Sequence, residues 1–310
     1  MALGAFAPAA AQATWSVAGV DPARDEAGVA IASCVGVHLD DAVGVVGGWG
    51  AGVTQALFDP TNHERLVSLL RADATARAVV RDLRTPALDD ALAERQYGAV
   101  TADGQEASFT GANAVGAAAS RTGRGFSVQG NTLESEAVVD EAAAWMRTHT
   151  GEPLSVRLTG ALLAGARAGG DRRCNAGGIR QTASTAALVV ARRGEFWTGA
   201  APRGTGRPGR DVDDEPWLHR SVLNLSNRSN AVLELERRHR AWARAHLQNA
   251  PDIDISGVPR GKRDAEPVVQ APAARSGLHR ALRLTLATLG AALVSLVVFW
   301  AVQRGRGPRG

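Results

Sequence analysis

The first question the sequence raises is chemical. Ala11-Gln12-Ala13 is a small-x-small tripeptide of the kind found at secretory cleavage sites, and the residue after it is Thr14. A cut there would make Thr14 the first residue of the mature chain, with a free α-amine beside its hydroxyl. The familiar alternatives are absent: the chain has no GxSxG elbow, no HExxH helix and no GxxxxGK[ST] loop. His38, His63 and His149 lack metal-ligand spacing, and Cys34 and Cys174 lack the CxxC or Cys/His spacing of a zinc site. GGWGAG at 47–52 has the look of a phosphate-cradling loop, but no Lys or Ser/Thr follows in register. A glycine-rich turn or a close backbone approach explains it better. What remains is a set of polar residues in specific local settings: Gln55 in VTQA, Gln96 in ERQYG, Thr110 in ASFTGAN, Gln129 and Asn131 in SVQGN, and Asp171 and Arg173 in GGDRRC. Each alone reads as a turn or cap residue; together they form a pattern.

The elements that must hold these residues follow from periodicity. Thr14–Val20 and Ala27–Ser33 read as a hairpin of strands around Asp21-Pro22. Val43–Val46 and Gly50–Ala56 are short strands, and Asn62–Ala72 carries Leu66, Val67, Leu69 and Leu70 on a helical face. A second short helix is expected after Thr85-Pro86, with Thr as cap and Pro in the first turn. Tyr97–Ala102 and Ala107–Gly111 flank Asp103-Gly104, a strong hairpin signal, and Phe126–Gln129 is a further strand. Helices follow at Glu134–Thr148 and Pro153–Ala168, then strands at Thr182–Ala191, Glu195–Gly199 and Leu218–Ser226. Asn230–Leu247 is a charged amphipathic helix with Val232, Leu235 and Trp242 as its candidate buried positions. Strands, two helices, strands, two helices and strands again do not alternate as a doubly wound sheet requires. The order fits an α+β arrangement of two mostly antiparallel sheets with helices outside.

Composition separates this globular part from its ends. From Ile255 onward nine Arg/Lys face two acids, giving +7; the whole chain is +4, so residues 1–254 carry −3. The basic signal thus belongs to the tail, and no nucleic-acid partner is expected. Residues 284–302 are an uncharged run of 19 with arginines on both flanks and Trp300 near one end, the pattern of a transmembrane helix. LGAFAPAAAQA, closing in A-x-A, reads as a signal-like segment at 1–13. The expected organisation is a globular domain at 14–248 (core 14–199, loop 200–215, strand plus helix 216–248), a flexible basic spacer at 249–283, the membrane helix, and a basic tail at 303–310. The domain would be extracytoplasmic and the lipid bilayer a partner. An even cysteine count in an exported chain favours a Cys34–Cys174 disulfide, the alternative being two buried thiols. Closing that loop would stabilise by roughly 5 kcal/mol in the chain-entropy picture.

TWSVAGVD, GVAIAS, GAGVTQA, RQYGAV, FTG, QGN and AGGDRRC followed by TASTAALVV, in that order, resemble domain of unknown function 1028, a family assigned to the N-terminal-nucleophile (Ntn) hydrolases. The resemblance runs from Thr14 to about Gly199 and continues weakly toward Trp242. It departs at Asn113–Ser120, where ANAVGAAAS stands in place of tryptophan-containing, glycine-rich text. It implies a four-layer αββα sandwich. It also implies a reaction in which the first residue's side chain attacks a carbonyl while its own α-amine takes the proton. That amine, with an unperturbed pKa of about 8, is partly deprotonated near neutrality. Thr14 matches the family's first residue, so signal cleavage would expose it as nucleophile and base. Asn131 or Gln129 could donate to an oxyanion, Asp171 could orient the amine or an arginine, Arg173 could read an anionic group, and Gln55 and Thr110 could bind substrate. Some relatives carry a peptidoglycan-binding domain, which implies a cell-envelope amide or peptide as substrate. No cofactor is expected. Two rivals stand beside an exported, membrane-anchored amidohydrolase: the same fold as a non-catalytic envelope module, and a tail-anchored protein facing the cytosol with residues 1–13 retained.

Overall fold

Strand β1 (Thr14–Asp21) and strand β2 (Glu26–Ser33) form the expected hairpin, in register from Thr14↔Ser33 to Asp21↔Glu26. Both are buried along their whole length, because apolar layers cover each face. The computed structural model describes residues 14–199, 218–222 and 229–261. The signal-like segment, the loop at 200–215, the apolar run 284–302 and the basic tail lie outside the described residues, as does the spacer from 262 onward. Among the described residues no helix is long and apolar enough to cross a membrane.

Strands β3 (Val43–Val46) and β4 (Gly50–Ala56) fall within the expected bounds. Helix α1 (Pro60–Arg71) starts at Asp59, whose carboxylate accepts the Thr61 and Asn62 N–H groups at 2.8 and 3.3 Å, with Pro60 in the first turn. The next helix is not after Thr85-Pro86. It is α2 (Ala76–Leu83), capped by the Thr75 hydroxyl on Ala78 N–H at 3.3 Å. Ala76, Val79, Val80 and Leu83 give it a continuous buried stripe, and Thr85-Pro86 lies beyond its end, where proline stops a helix. Strands β5 (Arg95–Thr101) and β6 (Glu106–Thr110) close around Asp103-Gly104.

Strand β7 (Ala117–Gly123) was not expected. It is half-buried and made of Ala, Ser, Thr, Arg and Gly, so no hydrophobic alternation marks it. Its partner β8 (Phe126–Leu133) extends four residues beyond the expected end. Helices α3 (Ala137–Thr148) and α4 (Leu154–Arg167), strands β9 (Thr185–Arg192), β10 (Phe196–Trp197) and β11 (Leu218–Val222), and helix α5 (Ala231–His246) complete the described chain. Asn230 caps α5 through Val232 N–H at 2.9 Å; Val232 and Leu235 are buried and Trp242 is partly so.

Among the described residues the strands make two antiparallel sheets, a six-stranded one in the order β11-β9-β2-β1-β8-β7 and a five-stranded one in the order β10-β3-β4-β5-β6. Three apolar clusters fix the packing. Trp15, Val17, Ala30, Val128 and Leu188 lie with Val138, Leu158, Leu162 and Val232 of α3, α4 and α5. Ala18, Val29, Ile31 and Val189 of the larger sheet lie with Val43, Val45, Ala51, Val53 and Val100 of the smaller. Leu66, Leu70, Val79 and Leu83 of α1 and α2 lie with Tyr97 and Ala99. Odd positions of β1 therefore meet helices and even positions meet the other sheet, the period-2 rule of a strand.

Two further segments follow from close packing. GGWGAG is a β3–β4 turn pressed on the chain at Arg192: a Cβ on Gly47 would sit 1.9 Å from the Arg192 carbonyl oxygen. No side chain fits there, which accounts for the glycines without a phosphate. The polar run expected to begin a free spacer at 249 is instead laid against the domain through 261. Ile253 and Val258 are buried, Arg167 Nε donates to the Ser256 carbonyl at 2.8 Å, and Asn230 Nδ2 donates to the Pro259 carbonyl at 2.7 Å. Ile253 and Val258, with Ile255 partly buried between them, anchor it, too short an apolar pattern to mark a helix or strand.

Candidate functional site

Thr14 opens the central pair of the six-stranded sheet, with Ser33 of β2 on one side and Asn131 of β8 on the other. Directly opposed residues in adjacent strands share a face with Cβ atoms about 5 Å apart. Thr14, Ser33 and Asn131 therefore form a polar row at one end of the sheet, turned toward the five-stranded sheet as Ser16 is. Thr14 Oγ1 donates to Ser33 Oγ at 3.5 Å, and all three residues are buried.

Behind this row runs a chain of buried amides that links the two sheets. Ser16 Oγ donates to Gln55 Oε1 at 2.6 Å and accepts from Gln129 Nε2 at 2.6 Å. Gln55 Nε2 donates to Gln96 Oε1 at 2.8 Å and to the Thr14 carbonyl at 3.4 Å. Gln96 Nε2 donates to Thr110 Oγ1 and to the Gly130 carbonyl, both at 2.9 Å, and Asn131 Nδ2 donates to Gln96 Oε1 at 3.3 Å. Ser127 Oγ closes the far end on Gln129 Oε1 at 2.9 Å. Buried amides are costly unless bonded, and a connected network in a low-dielectric interior is rigid. The fit depends on Gly98 of β5, where a Cβ would stand 1.9 Å from Gln129 Oε1. Two non-glycine residues with left-handed backbone follow the amides nearest Thr14: Ala56 (φ 72°) after Gln55 and Thr132 (φ 50°) after Asn131. Such strain persists only where the surroundings enforce it and concentrates at functional sites.

An ion pair braces the network from the α1 side. Arg95 Nε donates to Asp89 Oδ2 at 2.7 Å, both side chains being buried, and Arg95 also bonds the Leu57 carbonyl. The Arg95 hydrogen bond, helped by Asn62 and the Ala91 N–H, holds the Asp89 carboxyl down at about 2. Tyr97 donates its hydroxyl to Asp89 at 3.1 Å, and burial pushes its phenol pKa up. Burial also lowers the pKa of His63, whose Nε2 meets the Thr198 carbonyl at 3.0 Å.

A second cluster sits beside the first. Cys34 and Cys174 are bonded as a disulfide with Cα atoms 5.6 Å apart. The fully buried Asp171 accepts Cys34 N–H at 2.6 Å, Arg173 N–H at 3.0 Å, and the Arg173 guanidinium at 2.8 and 3.1 Å. A bridge pairs Asp171 with Leu133, two residues past Asn131. Asp171 thus orients an arginine and a backbone turn, and the disulfide ties that turn to the residue following Ser33.

Thr14 also lines a cavity of about 230 Å³. Ile31, Leu39, Thr54 and Gln55 form its buried inner wall, Ala42 and Phe58 its flanks, and Val37, His38 and Asp41 its mouth. The structure therefore gathers Thr14, Gln55, Thr110, Gln129 and Asn131 into one network. Thr14 and Gln55 reach the cavity; Thr110, Gln129 and Asn131 lie within the network and are not among its lining residues. Asp171, Arg173 and the cysteines form the adjoining brace. Sequence reading missed Ser16, Ser33 and the apolar wall. Ser16 was findable, being two residues from Thr14 on the same strand face. Among the described residues no group of three or more His, Cys, Asp or Glu side chains is placed to hold a metal ion.

Comparison with known proteins gives a family and a fold. No curated protein matches the chain. A crystal structure of a Silicibacter pomeroyi protein of family DUF1028 superposes with a TM-score of 0.57 at 19% identity, covering 81% of this chain and 100% of the other. The profile of the family of unknown function DUF1028 matches residues 14–208, starting at Thr14 itself. With that match spanning more than half of its length, the chain belongs to the DUF1028 family.

Proposed function

We propose that the domain is a four-layer αββα sandwich of the Ntn type and an amidohydrolase whose nucleophile is Thr14. The observation that carries this reading is the place of Thr14: first residue of the family match, start of the central strand, opposite Asn131, and in the wall of a cavity. Sheets that share one apolar layer, with helices packed against each, support the layered part of the proposal.

Cleavage after Ala13 would convert the Thr14 nitrogen from an amide to an amine. Thr14 Oγ1 then attacks the substrate carbonyl carbon while the amine accepts the hydroxyl proton. The carbonyl oxygen takes the negative charge, and in this reading the Asn131 carboxamide, across the strand pair from Thr14, donates to it. As the C–N bond breaks, the Thr14 ammonium returns its proton to the departing nitrogen. The resulting Thr14 ester is hydrolysed by water activated by the same amine, releasing a carboxylic acid and restoring the hydroxyl. The net change is amide plus water to acid plus amine. Gln55, Gln96 and Gln129 act by holding the two sheets, and so Thr14 and Asn131, in fixed relation.

In the same proposal the domain is exported and anchored by residues 284–302, with an envelope amide or peptide within reach. A disulfide fits an oxidising compartment. The rival is a non-catalytic envelope module, favoured by one observation: Thr14 is 2% exposed and its hydroxyl already bonds Ser33. Substitution separates them. Thr14→Ser should retain amide hydrolysis at reduced rate and Thr14→Ala should lose it, by roughly 10³-fold or more. Hydrolysis by Thr14→Ala at the wild-type rate would remove Thr14 as the nucleophile, and no hydrolysis by a chain that starts at Thr14 would leave only the module.

A further inference from the structure

We infer that the cavity beside Thr14 is an acyl pocket selecting amides whose acyl group ends in a short branched-aliphatic or phenyl group. The inference rests on the reading of Thr14 as nucleophile, and it names the substrate class of that site.

Size sets the upper limit. At about 230 Å³ the cavity lies below the roughly 300–1,000 Å³ of sites that enclose a drug-sized ligand. It holds one side chain, and a long acyl tail would have to leave through the mouth. Polarity sets the character. Ile31 and Leu39 are buried, Ala42 and Phe58 partly so, and together they present hydrocarbon to an occupant. Gln55 is the amide in the wall, and its carboxamide is already engaged by Ser16, Gln96 and the Thr14 carbonyl. It has no donor left for a carboxylate. Charge sets the exclusion. Asp41 stands at the mouth, and His38 faces the buried Asp40 at 3.8 Å. An acyl group ending in a carboxylate would lose its water and meet the Asp41 carboxylate, so its binding is disfavoured. The walls come from β2, the short 3-10 turn Leu39–Ala42, and the β4–α1 connection, so the pocket is built on fixed elements.

The test is binding, because binding needs no turnover. Phenylacetamide, isovaleramide, octanamide and succinamate are titrated into the purified full-length chain, and saturation is followed by ligand-observed NMR. Phenylacetamide and isovaleramide should saturate at least 10-fold more tightly than succinamate or octanamide. Ala42→Phe, which fills the cavity, should weaken both by 10-fold or more. Phe58→Ala, at a partly buried position, should weaken phenylacetamide about 5-fold and narrow its lead over octanamide. Succinamate binding as tightly as isovaleramide, no saturable binding of either apolar amide, or indifference to both substitutions would overturn the pocket. Hydrolysis of phenylacetyl and isovaleryl anilides by a chain starting at Thr14 is scored separately. Selective binding without hydrolysis would remove the nucleophile and keep the pocket, whereas hydrolysis with no acyl preference would keep the nucleophile and remove the pocket.

Discussion

Asp89 shows how single residues set the stability of this site. Its carboxyl is held at about 2, first by the Arg95 hydrogen bond, and Arg95 immediately precedes Gln96 of the amide chain. A folded-state pKa below the ordinary carboxylate value means stability that is present above about pH 4 and lost as pH falls toward 2. The drop from 3.8 to about 2 corresponds to about 2 kcal/mol. Denaturant unfolding between pH 5 and 2 should show that loss, and Asp89→Asn should flatten this part of the profile. The variant should also cost about 3 kcal/mol at neutral pH, since Arg95 would keep a buried charge with only Asp59, 3.4 Å away, beside it. An unchanged pH slope in Asp89→Asn would show that the pair does not carry the acid sensitivity. At this scale the sequence was partly legible. Gln55, Gln96, Thr110, Gln129 and Asn131 stood out as polar residues in specific settings, and the structure joins them in one network beside Thr14. Ser33 did not, because a serine inside a strand looks the same whether it bonds a network or merely fills space.

Among elements, the pairing of β5 with β8 across the two sheets decides whether the network closes. Gly98 gives the Gln129 carboxamide its room, so Gly98→Ala should force that side chain off Ser16 and Ser127. The expected cost is about 1–3 kcal/mol, read as a lower urea midpoint with unchanged slope. Wild-type stability in Gly98→Ala would mean that the sheets accommodate a different spacing. Strands with apolar contrast were readable: β1, β2, β4 and the β5–β6 hairpin lie within two residues of their expected bounds. Strand β7 was not, because Ala, Ser and Thr at an edge offer no contrast between faces. The second helix was displaced because Thr75 and Thr85 are equally good caps by type. What selects Thr75 is the buried stripe of Val79, Val80 and Leu83 on Tyr97 and Ala99, a tertiary fact.

At the scale of the whole molecule, the Cys34–Cys174 bond joins chain segments 140 residues apart, next to Ser33 and Asp171. Removing it in Cys34→Ala/Cys174→Ala should cost about 2–5 kcal/mol and lower the melting temperature by roughly 5–15 °C. Reductant should produce a similar shift in the wild type and none in the variant; equal melting temperatures with and without the bond would contradict its stabilising role. The order of strands and helices foretold two antiparallel sheets, and the family match confirms kinship without naming a reaction. Chemistry enters only if the Thr14 nitrogen is free, since an amide nitrogen cannot take a proton from the hydroxyl. The most direct measurement is therefore the N-terminal residue of the mature protein, by Edman sequencing or intact mass on material isolated from its native host. The account predicts a chain that begins at Thr14; a mature chain that begins at any other residue would contradict it.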